Sequence, residues 1–345
     1  MIKINYTKWV LISMSALAFT SCKKDENTTV TTENYKGYLV VNEGGFNKSN
    51  GSVGLYKPGT KTYLDAFKSA NNRPLGDIVQ SMSLIDGKYY IAVNNSNKIE
   101  VVNQADFKSV TSVNVNSPRY ILRVSNTKAY VSNLYNNAVQ ILDLSGKMIS
   151  GSVNINHWSE SMALMNGKAY INANNDKVML VDVTSDALID SIALSAGLTK
   201  VVNAGADKLG VLCVGALDWT NGSVIADAKF YIISKDSNKV SLTVPLTGAG
   251  YGGSLVYSAT ASAFYMSLGG NVIKKIALDG TVSDFITLSS GISVYGLSIN
   301  SNGDLYVMDA GDFNSAGKVY IYNNAGVKQS EFSAGIAPNA VLFNE

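Results

Sequence analysis

Apolar and polar residues alternate over short runs along most of the chain, and small polar residues or glycines interrupt the runs. In residues 81–115, the runs SMSLI, KYYIAVNN, KIEVVNQ and KSVTSVNV are separated by DG, SN and ADF. A period of two is typical of strands with one buried face, and Asp-Gly pairs favour tight hairpin turns. This segment therefore predicts four short antiparallel strands. After residue 23 the sequence contains no sustained helical period.

The same four-strand pattern recurs along the chain at a nearly constant interval. Its turn motifs are DGKYYI, NTKAYV, NGKAYI, ADKLGV, ASAFYM and NGDLYV, beginning at residues 86, 126, 166, 206, 261 and 302. The one long interval, from residue 206 to 261, contains a polar insertion in residues 214–228. Four strands in a repeat of about 40 to 45 residues is the pattern of a β-propeller blade, which must stack on its neighbours to bury both faces.

The repeats fill the chain from residue 38 to its end. Six units begin near Ser81, Ser117, Ser159, Thr199, Gly253 and Ser293. A seventh is split: YLVVN (38–42), VGLYK (53–57) and TYLDAF (62–67) supply three strands, and NAVLF (339–343) supplies the innermost one. We therefore predict an all-β fold, a seven-bladed β-propeller of four-stranded blades in residues 38–345, with the ring closed by the C-terminal strand. An array of β-sandwiches is the alternative.

The first residues of the chain follow a different pattern. Lys3 and Lys8 precede an apolar stretch, Trp9–Phe19, and two small residues then stand before Cys22. A basic start, a short apolar run and small residues describe a secretory signal peptide, and eleven residues are too few to cross a bilayer, which takes about 20. AFTSC resembles the bacterial lipobox, in a looser form typical of Bacteroidota. We predict a signal peptide in residues 1–21 and lipidation of Cys22; a plain signal peptide is the alternative.

Residues 22–37 are predicted to be the lipidated cysteine and a flexible tether, because they contain almost no apolar side chains. KKDEN, directly after Cys22, resembles the short charged signal that sends such lipoproteins to the cell surface. The expected location is therefore the outer membrane, lipid-anchored and exposed at the cell surface. A simple solvated tether with the protein facing the periplasm is the alternative.

Charge and cysteine content narrow the function. The chain has 28 basic and 26 acidic residues, and removing residues 1–21 leaves 26 of each. A net charge near zero argues against nucleic-acid binding, which needs a basic footprint. Cys213 is the one cysteine left after processing, so no internal disulfide is expected. Its apolar surroundings, KLGVLCVGAL, predict a buried small hydrophobe.

The longest loops are predicted to share one face of the ring. In a propeller, the loops between the second and third strands and those between blades lie on the same side, and function is concentrated on loops held by a rigid scaffold. The candidate ligand-binding residues on this face are Phe46, Arg73, Gln80, Arg119, Tyr135, His157, Trp158, Trp219, Tyr251 and Phe313. Aromatic area with directed hydrogen bonds suits a flat ligand rimmed by amides. The alternatives are packing between blades and, for Arg119, a hydrogen bond to a neighbouring blade.

Catalysis is not indicated. His157 is the only histidine, no Gly-x-Ser-x-Gly motif surrounds a serine, and no cysteine–histidine cluster is available for zinc. Some propellers hydrolyse lactones with a divalent ion held by carboxylate and Asn ligands, and Glu43, Glu160, Asn94 and Asn174 offer those residue types. Their spacing does not require that arrangement, so we predict no enzyme and no cofactor.

A calcium site is a weaker alternative in the loop DAGDFNSAG. Asp309, Asp312 and Asn314 carry oxygen ligands at a suggestive spacing, but the remainder of an EF-hand loop is missing. The prediction is therefore that no metal is bound.

Four motifs resemble a known family. VVNEGGF (40–46), NNRPLGDIVQSM (71–82), NNSNKIEVV (94–102) and SPRYI (117–121) are similar to a Bacteroidota family of surface lipoproteins, which are seven-bladed propellers of the YncE-like (YVTN-type) class. One branch, the BtuG-like proteins, captures cobalamin and passes it to a TonB-dependent transporter. The resemblance implies a corrinoid ligand and a transporter partner for a small-molecule-binding lipoprotein. A non-catalytic scaffold for protein–protein interaction is the alternative, followed by a lactonase-like hydrolase.

Overall fold

The computed structural model describes residues 35–292 and 294–344. The predicted signal peptide and the lipidation site Cys22 lie outside the described residues. Among the helices that are described, none is long and apolar enough to cross a bilayer. The fold is all-β, with seven four-stranded sheets arranged as the blades of a propeller.

The strands of the first four blades follow the predicted repeat. Blade 1 contains β1 (Gly37–Asn42), β2 (Ser52–Lys57) and β3 (Thr62–Asp65), followed by helix α1 (Ala66–Asn71). Blade 2 contains β4 (Val79–Ile85), β5 (Lys88–Val93), β6 (Lys98–Asn103) and β7 (Ser109–Asn114), with a 3-10 turn at Asn94–Ser96. Blade 3 contains β8 (Pro118–Arg123), β9 (Lys128–Asn133), β10 (Ala138–Asp143) and β11 (Met148–Asn154). Blade 4 contains β12 (Ser159–Met165), β13 (Lys168–Ala173), β14 (Lys177–Asp182) and β15 (Ala187–Ala193).

The last three blades complete the ring. Blade 5 contains β16 (Leu198–Ala204), β17 (Lys208–Cys213), β20 (Lys229–Ser234) and β21 (Lys239–Pro245), and its insertion forms a hairpin of β18 (Ala216–Leu217) and β19 (Val224–Ala226). Blade 6 contains β22 (Ser254–Ser258), β23 (Ala263–Ser267), β24 (Val272–Ala277) and β25 (Val282–Thr287). Blade 7 contains β26 (Val294–Ile299), β27 (Leu305–Asp309), β28 (Ala316–Tyr322) and β29 (Lys328–Ile336), and β30 (Pro338–Asn344) returns to blade 1.

The hydrophobic core is divided among the interfaces between blades. Seven clusters of buried apolar side chains lie there, one for each neighbouring pair of blades. Alternation along β5 shows how one strand serves two clusters: Tyr89 and Ile91 pack toward blade 1, whereas Tyr90 and Ala92 pack toward blade 3. The alternating pattern in the sequence therefore has two buried faces in the middle strands, which is why these strands are apolar throughout.

Serine hydroxyls connect the innermost strands, which splay apart around the axis instead of pairing. Ser81 Oγ donates to the Arg119 carbonyl oxygen over 2.6 Å, and Ser83 Oγ donates to that of Ile121 over 2.8 Å. Ser254 Oγ accepts from the Leu297 amide over 2.9 Å. These contacts satisfy backbone groups that have no partner strand at the centre of the ring.

The ring closes as predicted. Strand β30 pairs antiparallel with β1, from Gly37 opposite Asn344 to Asn42 opposite Pro338. The Gly335 amide also donates to Asn42 Oδ1 over 2.9 Å. The two ends of the propeller are thus held in one sheet, and blade 1 has no open inner edge.

Two local expectations need correction or refinement. Residues 66 and 67, predicted as the end of a strand, begin α1, because Asp65 caps the helix by accepting from the Lys68 amide over 2.9 Å. Six residues are too few to show a helical period in the sequence. The insertion of blade 5 forms the β18–β19 hairpin. The prediction for Cys213 is confirmed, since its side chain is fully buried.

Candidate functional site

A cavity of about 1010 Å³ occupies the centre of the ring. The innermost strand of every blade contributes to its wall, from β4 of blade 2 around to β30 of blade 1. Loop residues that were predicted to share one face line its mouth, namely Phe46, Tyr135, Trp158, Tyr251 and Phe313. The cavity therefore opens on the long-loop face.

Backbone irregularities place the polar side chains of the cavity wall. Six of the seven innermost strands contain a register shift at their beginning, and the strand of blade 6 is the regular one. The residues in these shifts all line the cavity: Gln80, Arg119, Tyr120, Glu160, Ser161, Thr199, Tyr295 and Asn339. A β-bulge adds one residue to a strand and re-aims the side chain there, and bulges are common next to functional sites.

Arg119 is the centre of a polar network on the cavity wall. Its Nε donates to both carboxylate oxygens of Glu160, over 3.0 and 2.9 Å, and its Nη1 donates to Gln80 Oε1. Burial lowers the pKa of Arg119, but the charge and hydrogen bonds of Glu160, together with the charge of Glu43 and the neighbouring Tyr120, outweigh this, so the pKa lies above its usual value. The ion pair of Arg119 with Glu160 and the side chain of Gln80 thus connect three neighbouring blades.

Glu43 forms a second network with residues of blades 7 and 1, beside the first. Its Oε2 accepts from the Tyr295 hydroxyl over 2.7 Å, and its Oε1 accepts from Asn339 Nδ2 over 2.8 Å. Burial and the charge of Glu43 raise the pKa of Tyr295 well above its usual value. Tyr295 therefore remains a neutral donor at any physiological pH.

Lys200 lies on the cavity wall in blade 5. Its Nζ donates to the Tyr120 hydroxyl over 2.8 Å and lies 4.8 Å from the centre of the Tyr120 ring. Burial lowers the pKa of Lys200, but the interactions with Tyr120 and Glu160 outweigh it and raise the pKa above the ordinary value. The ammonium group is thus charged.

Aromatic side chains surround the mouth. Among the described residues the large aromatic side chains that are exposed are Phe46, Tyr135, Trp219, Tyr251 and Phe313, and all five belong to loops of this face. The Trp219 and Tyr251 ring centres are 5.1 Å apart, and Phe313 meets Tyr295 edge-on at 4.9 Å. The other exposed large hydrophobic side chains are aliphatic and include Leu84, near the end of β4, and Ile189, on the outer strand β15.

The structure brings most of the predicted ligand-binding residues together. Seven line the cavity or its mouth: Phe46, Gln80, Arg119, Tyr135, Trp158, Tyr251 and Phe313. Trp219, on the β18–β19 hairpin, is outside the lining but packs on Tyr251. His157 is half-buried and also outside the lining, although its neighbour Trp158 belongs to it.

Arg73 has a different position from the one expected. It is absent from the cavity lining, its Nη2 donates to Glu100 Oε1 over 2.6 Å, and its guanidinium lies 4.7 Å from the Phe67 ring centre. The contacts join α1 to blade 2. Arg73 is therefore not part of the cavity wall.

Sequence reasoning missed several polar residues of the wall. Tyr120, Lys200, Tyr295 and Asn339 were not among the candidates, and Glu43 and Glu160 were considered only for catalysis. A usable signal was present in the repeat. Lys200, Glu160 and Arg119 occur within the first three residues of their strands, so aligning the units by their turns would have placed them at one level.

The carboxylates of the described residues do not assemble into a metal centre. No group of three or more His, Cys, Asp or Glu side chains close enough for a metal occurs in residues 35–292 and 294–344. The Asp312 carboxylate instead caps its own turn, accepting from the Asn314 and Ser315 amides over 2.9 and 2.7 Å. Asn94 Nδ2 donates to the Pro118 carbonyl oxygen over 3.2 Å.

Comparison with known proteins gives a family and a fold. The sequence profile of a domain of unknown function, DUF5074, matches residues 36–339. No curated protein matches the chain.

Two solved structures are similar to this one. A quinonprotein alcohol dehydrogenase-like protein from Bacteroides thetaiotaomicron superposes with a TM-score of 0.71 at 19% identity, over 90% of this chain and 79% of that one. Hydrazine synthase from Kuenenia stuttgartiensis superposes with a TM-score of 0.62 at 14% identity, over 77% of this chain and 91% of that one. Identities this low show a shared fold alone.

Proposed function

The chain belongs to the DUF5074 family, and we propose that it binds a corrinoid at the mouth of its central cavity and delivers it to a TonB-dependent outer-membrane transporter. The observation that carries the proposal is the set of exposed aromatic side chains around one opening. Tyr135 is 79% exposed and Trp219 is 80% exposed, so most of the surface of each side chain is available to a ligand. Contiguous exposed apolar surface beside a cavity is typical of a binding site.

The chemistry of the site suits a large flat ligand with amides at its edge. The aromatic rings offer rigid contact area at little entropic cost, and Gln80, Arg119 and Asn339 offer hydrogen bonds to amide groups. A corrinoid has a flat macrocycle with amide side chains. The motifs VVNEGGF and NNRPLGDIVQSM resemble a family of surface propellers in which one branch captures cobalamin, and this family resemblance is the reason for choosing a corrinoid among flat ligands.

The proposal includes no chemical step and places the protein at the cell surface through lipid on Cys22. The two carboxylates of the cavity are occupied as hydrogen-bond acceptors, Glu160 by Arg119 and Glu43 by Tyr295 and Asn339. These contacts fit a rigid binding wall. A ligand that touches several blades is bound by a preorganised surface, which lowers the entropic cost of binding.

Calorimetry with cyanocobalamin tests the proposal. We expect heat and retention at micromolar ligand for the wild type, and a weakening of about fivefold or more for Arg119→Ala, equivalent to about 1 kcal/mol. Co-purification with an outer-membrane transporter tests the delivery step. Wild-type protein that shows neither heat nor retention at micromolar cyanocobalamin contradicts the corrinoid assignment.

A second candidate is a non-catalytic scaffold that docks another surface protein. The observation in its favour is the β18–β19 hairpin, where Val224 and Ile225 are exposed without belonging to the cavity lining. Replacing both with Ser leaves corrinoid binding unchanged if the cavity is the functional site. Loss of a co-purifying protein partner, with no effect of any ligand, favours the scaffold.

A further inference from the structure

Within the described residues four charged side chains line the cavity, and two of them, Glu43 and Lys200, form no direct ion pair. Arg119 and Glu160 form an ion pair, with Nε and Oε2 2.9 Å apart. Glu43 of blade 1 and Lys200 of blade 5 line the same cavity without an ion pair to any described residue. Blades 6 and 7 separate them on one side of the ring, and blades 2 to 4 on the other. The cavity therefore has a positive and a negative sector.

The two unpaired charges differ in their remaining hydrogen-bonding capacity. Each carboxylate oxygen of Glu43 already accepts a hydrogen bond, from Tyr295 or Asn339. An ammonium group has three donors, and Lys200 uses one of them, on the Tyr120 hydroxyl, with no other acceptor among the described residues. Two N–H groups of Lys200 are thus available to a ligand.

Arg119 adds donors to the positive sector. Of its five N–H groups, those on Nε and Nη1 bind Glu160 and Gln80, and Nη2 has no acceptor in the described part of the chain. Arg119, Glu160 and Lys200 come from the successive blades 3, 4 and 5. Because Arg119 and Glu160 neutralise each other, the charge of Lys200 gives this sector its sign.

We propose that Lys200 and Arg119 bind an anionic oxygen group of the ligand, a phosphate or a carboxylate, in this sector. Hydrogen bonds between charged partners are shorter and about twice as strong as neutral ones, and partial burial strengthens them further. Tyr120 is a positioning residue, because its hydroxyl and ring hold the ammonium group in place. The inference rests on the proposed function for the ligand itself: cobalamin carries a phosphodiester in its nucleotide loop, and that phosphate is the group assigned to Lys200.

Two corrinoids separate this contact from the rest of the ligand. Cyanocobalamin contains the phosphodiester, whereas dicyanocobinamide has the same macrocycle without the nucleotide loop. In the full chain, Lys200→Met weakens cyanocobalamin binding roughly tenfold or more and leaves dicyanocobinamide binding unchanged. Lys200→Arg restores part of the loss. The matched control is Lys235→Met, an exposed lysine paired with Asp207, which changes neither affinity.

If no corrinoid binds to the protein, simple anions still test the positive sector. At equal ionic strength, inorganic phosphate or acetate in place of chloride raises the unfolding temperature of the wild type and not of Lys200→Met, since a ligand of the native state stabilises it. A larger rise in unfolding temperature with phosphate indicates that the site binds a phosphate group, and a larger rise with acetate indicates that it binds a carboxylate. A rise in unfolding temperature that depends on Lys200, in a protein that binds no corrinoid, supports the anion site and contradicts the corrinoid assignment.

If a corrinoid does bind, the comparison of the two corrinoids decides whether Lys200 binds the phosphate. Lys200→Met that weakens both corrinoids equally, or neither, overturns the anion assignment while the proposed function stands. Where no corrinoid binds, equal unfolding temperatures in chloride, phosphate and acetate overturn it. Tyr120→Phe provides a milder variant for the same comparison if Lys200→Met fails to fold.

Discussion

Single buried charges in this protein are held by several partners at once, and Glu100 is the clearest case outside the cavity. Its side chain is fully buried and accepts hydrogen bonds from Arg73, Lys98 and Ser109. Burial raises the pKa of Glu100, but the three hydrogen bonds and the charge of Lys98 outweigh it and hold the pKa below its ordinary value of 4.5. The carboxylate is therefore ionised in the native state at neutral pH.

This pKa predicts a pH dependence of stability. A group whose pKa is lower in the folded state contributes stability above its unfolded pKa, and the contribution is lost as the pH falls through the folded value. The free energy of unfolding should therefore fall below about pH 4.5. Urea unfolding of wild type and Glu100→Gln between neutral and acid pH checks this. A variant curve that falls as steeply as that of the wild type contradicts it.

Arg73 is expected to stabilise the fold without contacting the ligand. Removing it leaves Glu100 with Lys98 as its one ion-pair partner, so Arg73→Ala should cost about 1 to 2 kcal/mol, less than a fully buried pair because Arg73 is 43% exposed. Its affinity for cyanocobalamin should match that of the wild type. Weaker binding at unchanged stability would return Arg73 to the ligand site.

At the scale of elements, the register shifts at the beginnings of the innermost strands link the fold to the site. In β12 the shift lies between Ser159 and Met162, and in β8 between Pro118 and Ile121. The ion pair of Arg119 with Glu160 depends on both shifts, because each places one partner on the cavity wall. The strands could be predicted from the alternation of apolar and polar residues. The one-residue shifts could not be predicted, because they lie at the strand beginnings and leave the alternation almost unchanged.

The closing strand β30 is expected to stabilise the whole ring. It pairs with β1, and its Asn339 also binds Glu43 and the Gln80 carbonyl oxygen. Deleting residues 338–345 opens an edge in blade 1 and exposes the cluster it shares with blade 7, so the unfolding transition should move to lower temperature as one cooperative step. Calorimetry of the truncated chain checks this. An unchanged transition temperature would show that β30 is dispensable.

At the scale of the whole molecule, the sequence was sufficient for the architecture and insufficient for the site. Blade number, closure by residues 339–343 and the shared face of the long loops all follow from the repeat, because every unit must bury the same two faces. The residues that meet in the cavity, such as Lys200 and Tyr120, lie 80 positions apart. Their pairing depends on the geometry of the ring and has no local signal.

Anchoring is a separate property of the complete chain and concerns residues outside those described. Cys22 stands where an apolar stretch meets a polar tether, which predicts lipidation. One acyl chain gives marginal membrane binding and stable anchoring takes at least two, so Cys22→Ala should leave the membrane fraction. Fractionation of cells that express either form checks this. A variant that stays firmly in the membrane fraction contradicts lipidation at Cys22.

The most direct test of ligand binding at the aromatic mouth is the dissociation constant of cyanocobalamin for wild type, Tyr135→Ala and Ile189→Ala. Tyr135 is 79% exposed at the mouth of the cavity, and Ile189 is 47% exposed on the outer strand of blade 4, so neither substitution disturbs the core. We predict micromolar or tighter binding by the wild type and by Ile189→Ala, and binding by Tyr135→Ala that is weaker by about fivefold or more. Absence of binding by the wild type, or equal affinities for all three proteins, would contradict a ligand site at this mouth.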